Sequence, residues 1–513
     1  MKPAIVFIGF MGAGKSTALA AARRAGLETT EIDSLMEAEF GVPLKQAFKR
    51  EGEEGFRVRE AEVVGGLLER ADGGAIALGG GSVLSERIRA ALDRHVVVWL
   101  QVDPRESWRR IAHSDRPLAT SAEDVEQLLA ERLPLYEELA DAVVPMGDRA
   151  IVERALPAIQ ALPDLPAGTK LLWAASESGE YPVLVGRGLL GAGWWPLEGR
   201  RFLVADRTTM SLYGDRIEPI AARVEVPPGE GAKSMEEAAS VLERLSEAEM
   251  TREDHVVALG GGVVGDLAGL CAHLYQRGVS VVQVPTTLVA QVDSAYGGKT
   301  GVDLPMGKNY AGAYHLPAAV LADTETLTTL PPEDLAAGFV EALKTGLLAG
   351  GSLWERVRSV EKLDPVELDD IVFACARYKN EIVAADERDG GLRHVLNLGH
   401  TVGHALEAVS AYTGYRHGDA VALGLLAALR LSDAPELRDE VEAILLRHGV
   451  PVRAQAESDR DTWIDGTVEA LQHDKKRTAA GVGFVLLSEP GKPRVGQLVE
   501  PDAVRAAVEE LYE

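Results

Sequence analysis

The 513-residue sequence predicts two successive α/β parts followed by a mainly α-helical part. Near the N-terminus, the apolar run 4–8 leads into a glycine-rich segment and then into a helical pattern. A second strand-like run, 255–259, also leads into clustered glycines and a helical pattern. From residue 332 onward, apolar residues recur mostly at helical spacing, for example over 335–348 and 420–431. A chain of this length is too long for a single hydrophobic core.

The composition excludes several classes of protein. The chain is 46% apolar and 26% charged, as is ordinary for a globular protein, and its formal net charge is −26. Because no strong basic patch offsets this charge, we expect no nucleic-acid partner. The sequence has no apolar run of membrane-spanning length and no N-terminal cleavage site, and Cys271 and Cys375 lack metal-ligand spacing. It therefore predicts a cytoplasmic protein without membrane contact that acts on small molecules.

The first glycine-rich segment fits the pattern of a phosphate-binding P-loop. Residues 9–17, GFMGAGKST, follow a strand-like run and precede a helical pattern. In such a loop the backbone N–H groups surround phosphates, the lysine reaches the outer phosphates and the serine hydroxyl binds Mg²⁺. We therefore expect ATP as co-substrate together with Mg²⁺. The expected ligands are Gly12, Ala13, Gly14, Lys15, Ser16 and Thr17.

Polar residues after the P-loop indicate a small polyol with a carboxylate as the phosphate acceptor. Asp33 and Arg57 come first, and residues 79–81 form a triglycine after a strand-like run. Arg116 and Arg132 follow farther along the chain. Arginine binds a carboxylate in a bidentate manner, and an aspartate is able to orient or deprotonate the attacking hydroxyl.

In this order the motifs resemble shikimate kinase over residues 1–160. The resemblance implies Lys15 and Asp33 in catalysis, Arg116 of the lid on the ATP phosphates, and Asp33, Arg57, Gly80 and Arg132 on shikimate. Glu31 stands where the family usually has aspartate, and Ala119 ends the lid where leucine is common. Gluconate-type kinases share the P-loop and are the alternative, although Arg57 and the triglycine argue against them.

A proline-rich segment separates this part from the rest of the chain. Residues 157–168 contain three prolines, which disfavour a helix and stiffen the chain. The sequence therefore predicts a kinase domain over 1–160, a linker over 161–170, a cofactor-binding α/β part over 171–330 and a helical part over 331–513.

The second glycine loop predicts a dinucleotide site of unusual form. Residues 260–265 fit G-x-G-x-x-G after a strand-like run, a pattern that places a pyrophosphate at a helix N-terminus. The acidic residue expected about twenty positions later is absent, because 279–284 is another strand-like run. Asp206, at the end of the earlier run 201–205, is an alternative ribose ligand.

Histidines and a carboxylate in the helical part indicate a catalytic metal site. His400 and His404 are four residues apart, so a helix over 396–407 would place both on one face. His417 lies in a turn-like segment, and Glu341 lies upstream in another helical segment. Two histidines and one carboxylate, with a fourth position open, form a ligand set of catalytic zinc. With Glu341 and two of the three histidines as ligands, the third histidine would remain for proton transfer.

Cations near these motifs favour a phosphorylated substrate. Lys299 and Lys308 lie in glycine-rich segments, and Lys379 and Arg393 lie farther along the chain. Taken singly, each could be a solvated surface cation. Their concentration beside the glycine loops and the metal ligands favours an anionic ligand.

Together, the motifs GGGVVGD, PTTLVAQVDSAYGGKTG, GKN, GFVEALK, LNLGHTVGHALE and RHGD resemble 3-dehydroquinate synthase over residues 170–513. The resemblance implies that zinc, or Co²⁺, binds Glu341, His400 and His417. It implies catalytic roles for Asp293, Lys299, Lys344 and His404. Besides Asp206, it implies NAD ligands at Glu230, Lys233, Gly261, Gly262, Val263, Val264, Gly265, Asp266, Thr286, Thr287, Lys299, Lys308, Thr326 and Thr329. It implies sugar phosphate ligands at Arg277, Asn309, Lys379, Arg393, Asn397 and one of Lys475 or Lys476, with Arg277 supplied by the neighbouring subunit of a homodimer.

The implied synthase reaction converts 3-deoxy-D-arabino-heptulosonate 7-phosphate to 3-dehydroquinate and phosphate. It comprises oxidation of a zinc-polarised hydroxyl by NAD⁺, β-elimination of phosphate, return of the hydride and an aldol ring closure. Both halves would then serve the route to chorismate, because the kinase would convert shikimate to shikimate 3-phosphate. The alternatives are another sugar phosphate cyclase in the second half, or a non-catalytic regulatory module in the first.

The fold prediction that accompanies this function has three parts. It consists of an α/β P-loop kinase domain with a parallel sheet, an α/β NAD-binding domain and a mainly α-helical metal-binding domain.

Overall fold

The computed structural model of the chain describes residues 2–112, 121–305, 307–410, 414–456, 459–472, 477–478 and 481–512. The chain forms two compact units. The first comprises Met1–Ala175 and Pro182–Pro196, and the second comprises Ser176–Tyr181 and Leu197–Glu513. The domain limits predicted from the sequence stay a prediction.

The first unit is built on a mostly parallel sheet covered by helices. Its strands are β1 (Ile5–Ile8), β2 (Thr29–Glu31), β3 (Ala75–Ala77), β4 (Val96–Gln101), β5 (Ala142–Pro145), β6 (Lys170–Ala175) and β7 (Glu180–Gly186). Its helices are α1 (Lys15–Arg24), α2 (Ile32–Phe40), α3 (Leu44–Arg70), α4 (Glu86–Leu92), α5 (Pro104–Ile111), α6 (Ala122–Leu139) and α7 (Ile151–Ala161). The strands lie in the order β2-β3-β1-β4-β5-β6-β7, and all pairs from β2 to β6 are parallel. This confirms the predicted parallel sheet of a P-loop fold.

The start of the proline-rich segment is helical, contrary to the prediction. α7 continues to Ala161 with Pro157 inside it, and a 3₁₀ turn follows over Leu162–Asp164. Pro157 is exposed, whereas Ala155 and Ile159 on the same helix are fully buried. Burial of this apolar face stabilises the helix despite the proline, because tertiary packing outweighs intrinsic helix propensity.

The second unit contains a five-stranded parallel sheet, a hairpin, a helical region and a small antiparallel sheet. Its strands are β8 (Arg201–Asp206), β9 (Ala222–Val226), β10 (His255–Gly260), β11 (Ser280–Pro285), β12 (Lys299–Leu304), β13 (Gly307–Tyr314), β14 (Ala319–Asp323), β15 (Arg477–Thr478), β16 (Gly481–Leu487) and β17 (Pro493–Leu498). The large sheet has the order β14-β11-β10-β8-β9 with every pair parallel, and β12 and β13 form the antiparallel hairpin. The sheet of β15–β17 lies in the part expected to be mainly helical, and the helical pattern gave no sign of it.

Helices cover the parallel sheet and then dominate the chain. They are α8 (Arg207–Tyr213), α9 (Met235–Glu247), α10 (Gly262–Leu274), α11 (Pro332–Ala349), α12 (Gly351–Arg358), α13 (Asp369–Ala385), α14 (His400–Val409), α15 (His417–Leu431), α16 (Pro435–Arg447), α17 (Arg460–Gln472) and α18 (Pro501–Leu511). Val256 and Ala258 of β10 share a buried cluster with Leu267 and Cys271 of α10. Cys271 is therefore a core residue, as its sequence context predicts.

Three helices of the second unit approach one another closely at glycines. A Cβ atom on Gly418 of α15 would lie 2.1 Å from the carbonyl oxygen of Ala337 in α11. One on Gly424 of α15 would lie 1.9 Å from the carbonyl oxygen of Gly399, which directly precedes α14. These contacts are too short for any side chain, so glycine sets the spacing of α11, α14 and α15.

The structure also bears on membrane association. Within the described ranges, none of the helices combines the length and the apolar character needed to cross a bilayer.

Candidate active sites

The P-loop of the first unit has its lysine and serine held by local partners. Gly14, with a φ of 90°, directly precedes α1, so the N-terminal N–H groups of that helix face the loop. Lys15 Nζ donates to the carbonyl oxygens of Gly9 and Phe10 at 2.8 and 2.9 Å. Ser16 Oγ donates to Glu31 Oε1 at 2.7 Å. Glutamate at position 31 therefore reaches the serine expected to bind Mg²⁺.

The residues predicted to bind the substrate that accepts the phosphate meet around the triglycine. Arg57 Nη1 donates to Glu60 Oε2 at 2.5 Å, and a Cβ on Gly81 would collide with the Arg57 guanidinium. A Cβ on Gly79 would lie 3.9 Å from Asp33 Oδ1, which places the Asp33 carboxylate beside this turn. A side chain at position 81 would therefore displace the Arg57 guanidinium, whereas the Asp33 carboxylate lies at ordinary contact distance from the turn.

Arg132, the remaining residue predicted to bind this substrate, lies at the same turn. Arg132 Nη1 donates to the Gly80 carbonyl oxygen at 3.2 Å, and the Tyr136 hydroxyl donates to the same oxygen at 2.8 Å. Burial raises the pKa of Tyr136 to about 12, so its hydroxyl remains a donor at neutral pH. The structure thus brings Asp33, Arg57, Gly80 and Arg132 together, as the resemblance implies.

Three further residues of this site were not singled out from the sequence. Glu60 is buried between Arg57 and Ser82, and its position three residues after Arg57 was the available signal. Tyr136 shares the Gly80 carbonyl with Arg132, and Arg110 donates to the Gly12 carbonyl oxygen at 3.0 Å. Arg116 and the rest of the predicted lid lie outside the described residues.

In the second unit, the three predicted metal ligands converge. Glu341 lies in α11 and is fully buried. Its Oε1 atom lies 3.5 Å from His400 Nε2 and 3.3 Å from His417 Nε2. One donor atom from each residue lies within 4.8 Å of the other two, a grouping compatible with a metal ion.

The helix that bears His400 begins later than predicted. Leu392–Asn397 is a 3₁₀ segment, Gly399 has a φ of 77°, and α14 starts at His400. The helix predicted over 396–407 is therefore wrong at its start: Asn397 lies in the 3₁₀ segment, because the left-handed glycine turns the chain before the α-helix begins. His417 was expected in a turn and is the first residue of α15.

The charge balance of this cluster fits a bound cation. Among the described residues, neither carboxylate oxygen of Glu341 receives a hydrogen bond of regular geometry, although Lys344 Nζ lies 2.6 Å from Oε2. Burial opposes ionisation of Glu341, but Lys344 and the imidazoles hold the pKa of its carboxyl well below its ordinary value. Burial alone would lower the pKa of His417, but Glu341 and Glu407 raise it to about 10. The cluster thus holds positive charge in contact with a buried anion.

A cavity of about 670 Å³ opens beside this cluster, which is large enough for a small phosphorylated sugar. Eleven of the residues predicted for the second unit line it, namely Asp266, Asp293, Lys299, Asn309, Lys344, Lys379, Arg393, Asn397, His400, His404 and His417. The structure therefore brings together most of the residues assigned to catalysis and to the sugar phosphate.

The lysines of the cavity are paired with carboxylates. Asp293 contacts Lys379 and lies 3.7 Å from Lys344 Nζ. Burial opposes ionisation of Asp293, yet the two lysines hold its pKa below the ordinary value. Lys299 Nζ lies 2.5 Å from Asp389 Oδ2. Asp389 was not singled out from the sequence, and neither were Tyr310, Tyr314 and Ser294, which also line the cavity.

The predicted NAD residues surround the N-terminus of α10. Gly261 directly precedes that helix, and Cβ atoms on Gly261 and Gly262 would lie 3.0 and 2.9 Å from the side chains of Thr287 and Ser294. The rest of the predicted stretch, Val263, Val264, Gly265 and Asp266, lies in α10 itself. Lys233 Nζ lies 2.6 Å from Asp266 Oδ2, and the backbone N–H of Thr286 donates to the Gly260 carbonyl oxygen at 3.0 Å.

Other predicted NAD residues have structural partners of their own. Asp206 accepts from the N–H groups of Thr208 and Thr209 at 2.8 and 3.1 Å and so caps α8. Thr326 Oγ1 donates to the Asp323 carbonyl oxygen at 2.7 Å, and Thr329 Oγ1 donates to that of Thr326 at 3.0 Å. Within the described ranges, these residues lie outside the lining of the cavity.

The structure does not bring every predicted phosphate ligand to this cavity. Arg277 ends a 3₁₀ turn, Tyr275–Arg277, with a φ of 69° and lies outside the lining formed by the described residues. Lys475 and Lys476 lie outside the described residues.

The two sites define a phosphotransferase of the P-loop class joined to an α/β enzyme with a metal-ligand cluster beside a glycine loop. Residues 11–162 match the family model for shikimate kinase. Residues 223–337 and 338–477 match those for the N-terminal and C-terminal parts of 3-dehydroquinate synthase. Over 356 residues the chain is 42% identical to 3-dehydroquinate synthase of Symbiobacterium thermophilum, covering 65% of this chain and 99% of that protein. It is 40% identical to that of Halorhodospira halophila, covering 65% and 97%.

The chain belongs to the 3-dehydroquinate synthase family and has a shikimate kinase domain before its synthase part. It is a bifunctional enzyme of the shikimate pathway, which confirms the prediction made from the motifs. The alternatives of a gluconate-type kinase and of another sugar phosphate cyclase are not supported.

Two solved structures show the same fold in the synthase part. That of 2-deoxy-scyllo-inosose synthase complexed with carbaglucose-6-phosphate, NAD⁺ and Co²⁺ aligns with a TM-score of 0.58 at 23% identity, over 66% of this chain and 99% of that one. That of 2-epi-5-epi-valiolone synthase from Streptomyces hygroscopicus subsp. jinggangensis, with NAD⁺ and Zn²⁺ bound, aligns with a TM-score of 0.56 at 25% identity, over 66% and 98%.

Proposed function

We propose that Glu341, His400 and His417 bind zinc in the synthase part and that Co²⁺ is able to replace it. The observation that supports this most directly is that both imidazole Nε2 atoms face the same Glu341 oxygen, at 3.5 and 3.3 Å. A buried carboxylate between two imidazoles is readily compensated by a shared cation. The Zn²⁺ and Co²⁺ in the two structures of similar fold support the choice of metal.

NAD is the proposed redox cofactor, bound at the N-terminus of α10. The glycines there leave backbone N–H groups accessible to a pyrophosphate, and the helix dipole favours its negative charge. Lys233 and Lys308 supply positive charge nearby, the latter 3.9 Å from Glu230. The two structures of similar fold contain NAD⁺, which supports this assignment.

The heptulosonate phosphate is proposed to occupy the 670 Å³ cavity. Lys379, Arg393 and Asn397 line it together with His400, and Asn309 of β13 lines it as well. Cationic and amide groups of this kind bind carboxylate and phosphate oxygens. Arg277 is proposed to reach the phosphate from the other subunit of a homodimer, because it lies outside the lining that the described residues of its own chain form.

Within this site, the chain orients the substrate and handles protons. When bound, zinc and NAD⁺ would supply polarisation of a substrate hydroxyl and a transient hydride acceptor. Lys344 is buried beside Glu341 and Asp293, so its charge is fixed next to the metal ligands. His404 is exposed and its ring centroid lies 5.3 Å from that of His400, a position from which it is able to pass a proton to solvent.

In the kinase domain, we propose that Asp33 orients or deprotonates the attacking hydroxyl of shikimate while Arg57 and Arg132 bind its carboxylate. Lys15 and Ser16 act on the ATP phosphates and on Mg²⁺, with Glu31 on the metal side through its contact with Ser16. The protein is proposed to work in the cytoplasm as a homodimer formed through the synthase part.

Phosphate release tests the synthase assignment. The whole purified chain is supplied with NAD and 3-deoxy-D-arabino-heptulosonate 7-phosphate, before and after treatment with a zinc-selective chelator. We expect release to stop after chelation and to return with Zn²⁺ or Co²⁺. Shikimate phosphorylation, followed in the same samples with ATP and excess Mg²⁺, serves as the internal control and should persist. Phosphate release that is indifferent to the chelator would contradict the metal assignment.

A further inference from the structure

Glu407 is buried beside the metal-ligand cluster and had no assigned role in the resemblance. It lies on α14, one turn after His404, and is only 3% exposed. Its Oε2 atom lies 3.5 Å from His417 Nδ1, and its Oε1 atom accepts from Lys308 Nζ at 3.2 Å. A carboxylate is rarely buried to this extent without such partners.

The two metal-facing histidines have the same arrangement. His400 presents Nε2 to Glu341, and its Nδ1 lies 3.2 Å from the Leu398 carbonyl oxygen. His417 presents Nε2 to the same Glu341 oxygen, and its Nδ1 faces Glu407. Each ring therefore has one nitrogen directed at the cluster and the other directed at an oxygen acceptor.

Such an acceptor fixes both the tautomer and the orientation of a metal-bound imidazole. A carboxylate at this position also increases the basicity of the coordinating nitrogen. His417 is the more exposed of the two histidines, with 38% of its side chain accessible, so neighbouring packing restrains it less than His400 at 10%. The orientation of His417 therefore depends more strongly on a polar partner.

We propose that Glu407 is the positioning residue for the metal ligand His417, and that through its second oxygen it also holds Lys308 of the β13 hairpin beside the metal centre. This proposal rests on the metal site of the proposed function. It assigns Glu407 to metal affinity and ligand geometry rather than to direct contact with the substrate.

A nearby carboxylate provides a matched control. Asp419 lies on α15 two residues after His417, is 15% exposed at its side chain and faces Arg416 at 3.8 Å. Asp419 is thus close to His417 in sequence, but its ion pair is with Arg416, whereas the carboxylates that face the His417 ring are those of Glu341 and Glu407. Asp419→Asn should therefore leave the His417 ring and the metal affinity unchanged.

The test measures zinc affinity by competition with a chromophoric chelator, and cobalt ligation by its visible absorption bands. Both use the full-length apo-protein without substrate. Loss of an outer-shell partner typically weakens metal binding about 10–100-fold. We expect Glu407→Gln to weaken zinc binding by about that factor and to shift the cobalt bands, Glu407→Asp to recover part of the affinity, and Asp419→Asn to resemble the native chain.

The possible outcomes separate this inference from the proposed function. If the native chain binds no zinc, the metal site itself fails. If the native chain binds zinc tightly and Glu407→Gln binds it equally well with an unchanged cobalt spectrum, only the role of Glu407 fails. His404, Glu407 and His417 also form a second group able to hold a metal. If the native chain binds two zinc ions and Glu407→Gln binds only one, Glu407 is itself a metal ligand. That result would overturn its role as a positioning residue.

Discussion

Replacement of Gly424 by alanine should disrupt the metal site without altering a metal ligand. The added Cβ would lie 1.9 Å from the Gly399 carbonyl oxygen and 2.9 Å from the Gly403 backbone nitrogen. Both atoms belong to backbone, so a rotamer change cannot relieve the contact. α15 would have to move away from α14 by about 1 Å to reach a tolerable separation, and overpacking of this kind costs about 1–3 kcal/mol.

That displacement is large on the scale of a metal site. His400 begins α14 and His417 begins α15, so the two ligands would move apart together with their helices. Metal–ligand distances tolerate only about 0.2 Å. We therefore expect Gly424→Ala to weaken zinc binding by at least about tenfold, which corresponds to about 1.4 kcal/mol, and to lower the unfolding temperature.

The control is another helical glycine of the same unit. Among the described residues, a Cβ on Gly466 of α17 would meet only Val409 methyl groups, at 3.5 and 3.6 Å, which is ordinary van der Waals contact. Gly466→Ala should thus be neutral or stabilising by up to about 1 kcal/mol, since alanine favours helix. Zinc affinity and thermal unfolding of both variants are compared with those of the native chain. Equal affinity and equal stability in Gly424→Ala and Gly466→Ala would refute the argument that the glycine contact sets the ligand spacing.

Three further predictions concern the two active sites. Asp33→Asn should reduce shikimate phosphorylation about 100-fold or more and leave phosphate release by the synthase unchanged, and parallel loss of both activities would contradict separate sites. Glu31→Gln should raise the Mg²⁺ concentration needed for half-maximal kinase activity about tenfold, because Ser16 loses a charged partner; an unaltered Mg²⁺ titration would argue against this. At pH 8 zinc binding should release about one proton from His417, whose pKa is raised to about 10 while no metal is bound. Calorimetry in buffers of different ionisation enthalpy measures this release, and zero protons would contradict it.

Much of the fold followed from local patterns. The strand, glycine loop and helix at the N-terminus and the run 255–259 before α10 have lengths and spacings that few other structures satisfy. Where a helix limit in the structure differs from the predicted one, the difference depends on packing between residues distant in sequence. α7 includes Pro157 because its apolar face is buried, which the local sequence does not report.

The candidate sites were predictable in their residue types but not in their pairing. Spacing and motif resemblance indicated Glu341, His400 and His417, which converge in space. The same approach missed Asp389 as the partner of Lys299, because the two lie ninety residues apart and no motif joins them. It also placed Asn397 on the helix of His400, since a left-handed Gly399 is not distinguishable from a helical glycine by sequence alone.

The three proposed metal ligands are distributed over residues 341–417, on three separate helices. No short peptide of this chain contains all of them, so a fragment that ends before α15 would lack one proposed ligand and should bind zinc weakly. Release of zinc into solution would accordingly report the moment at which α15 separates from α11 and α14. A fluorescent zinc indicator added during denaturation would follow the integrity of this region of the enzyme independently of any catalytic assay.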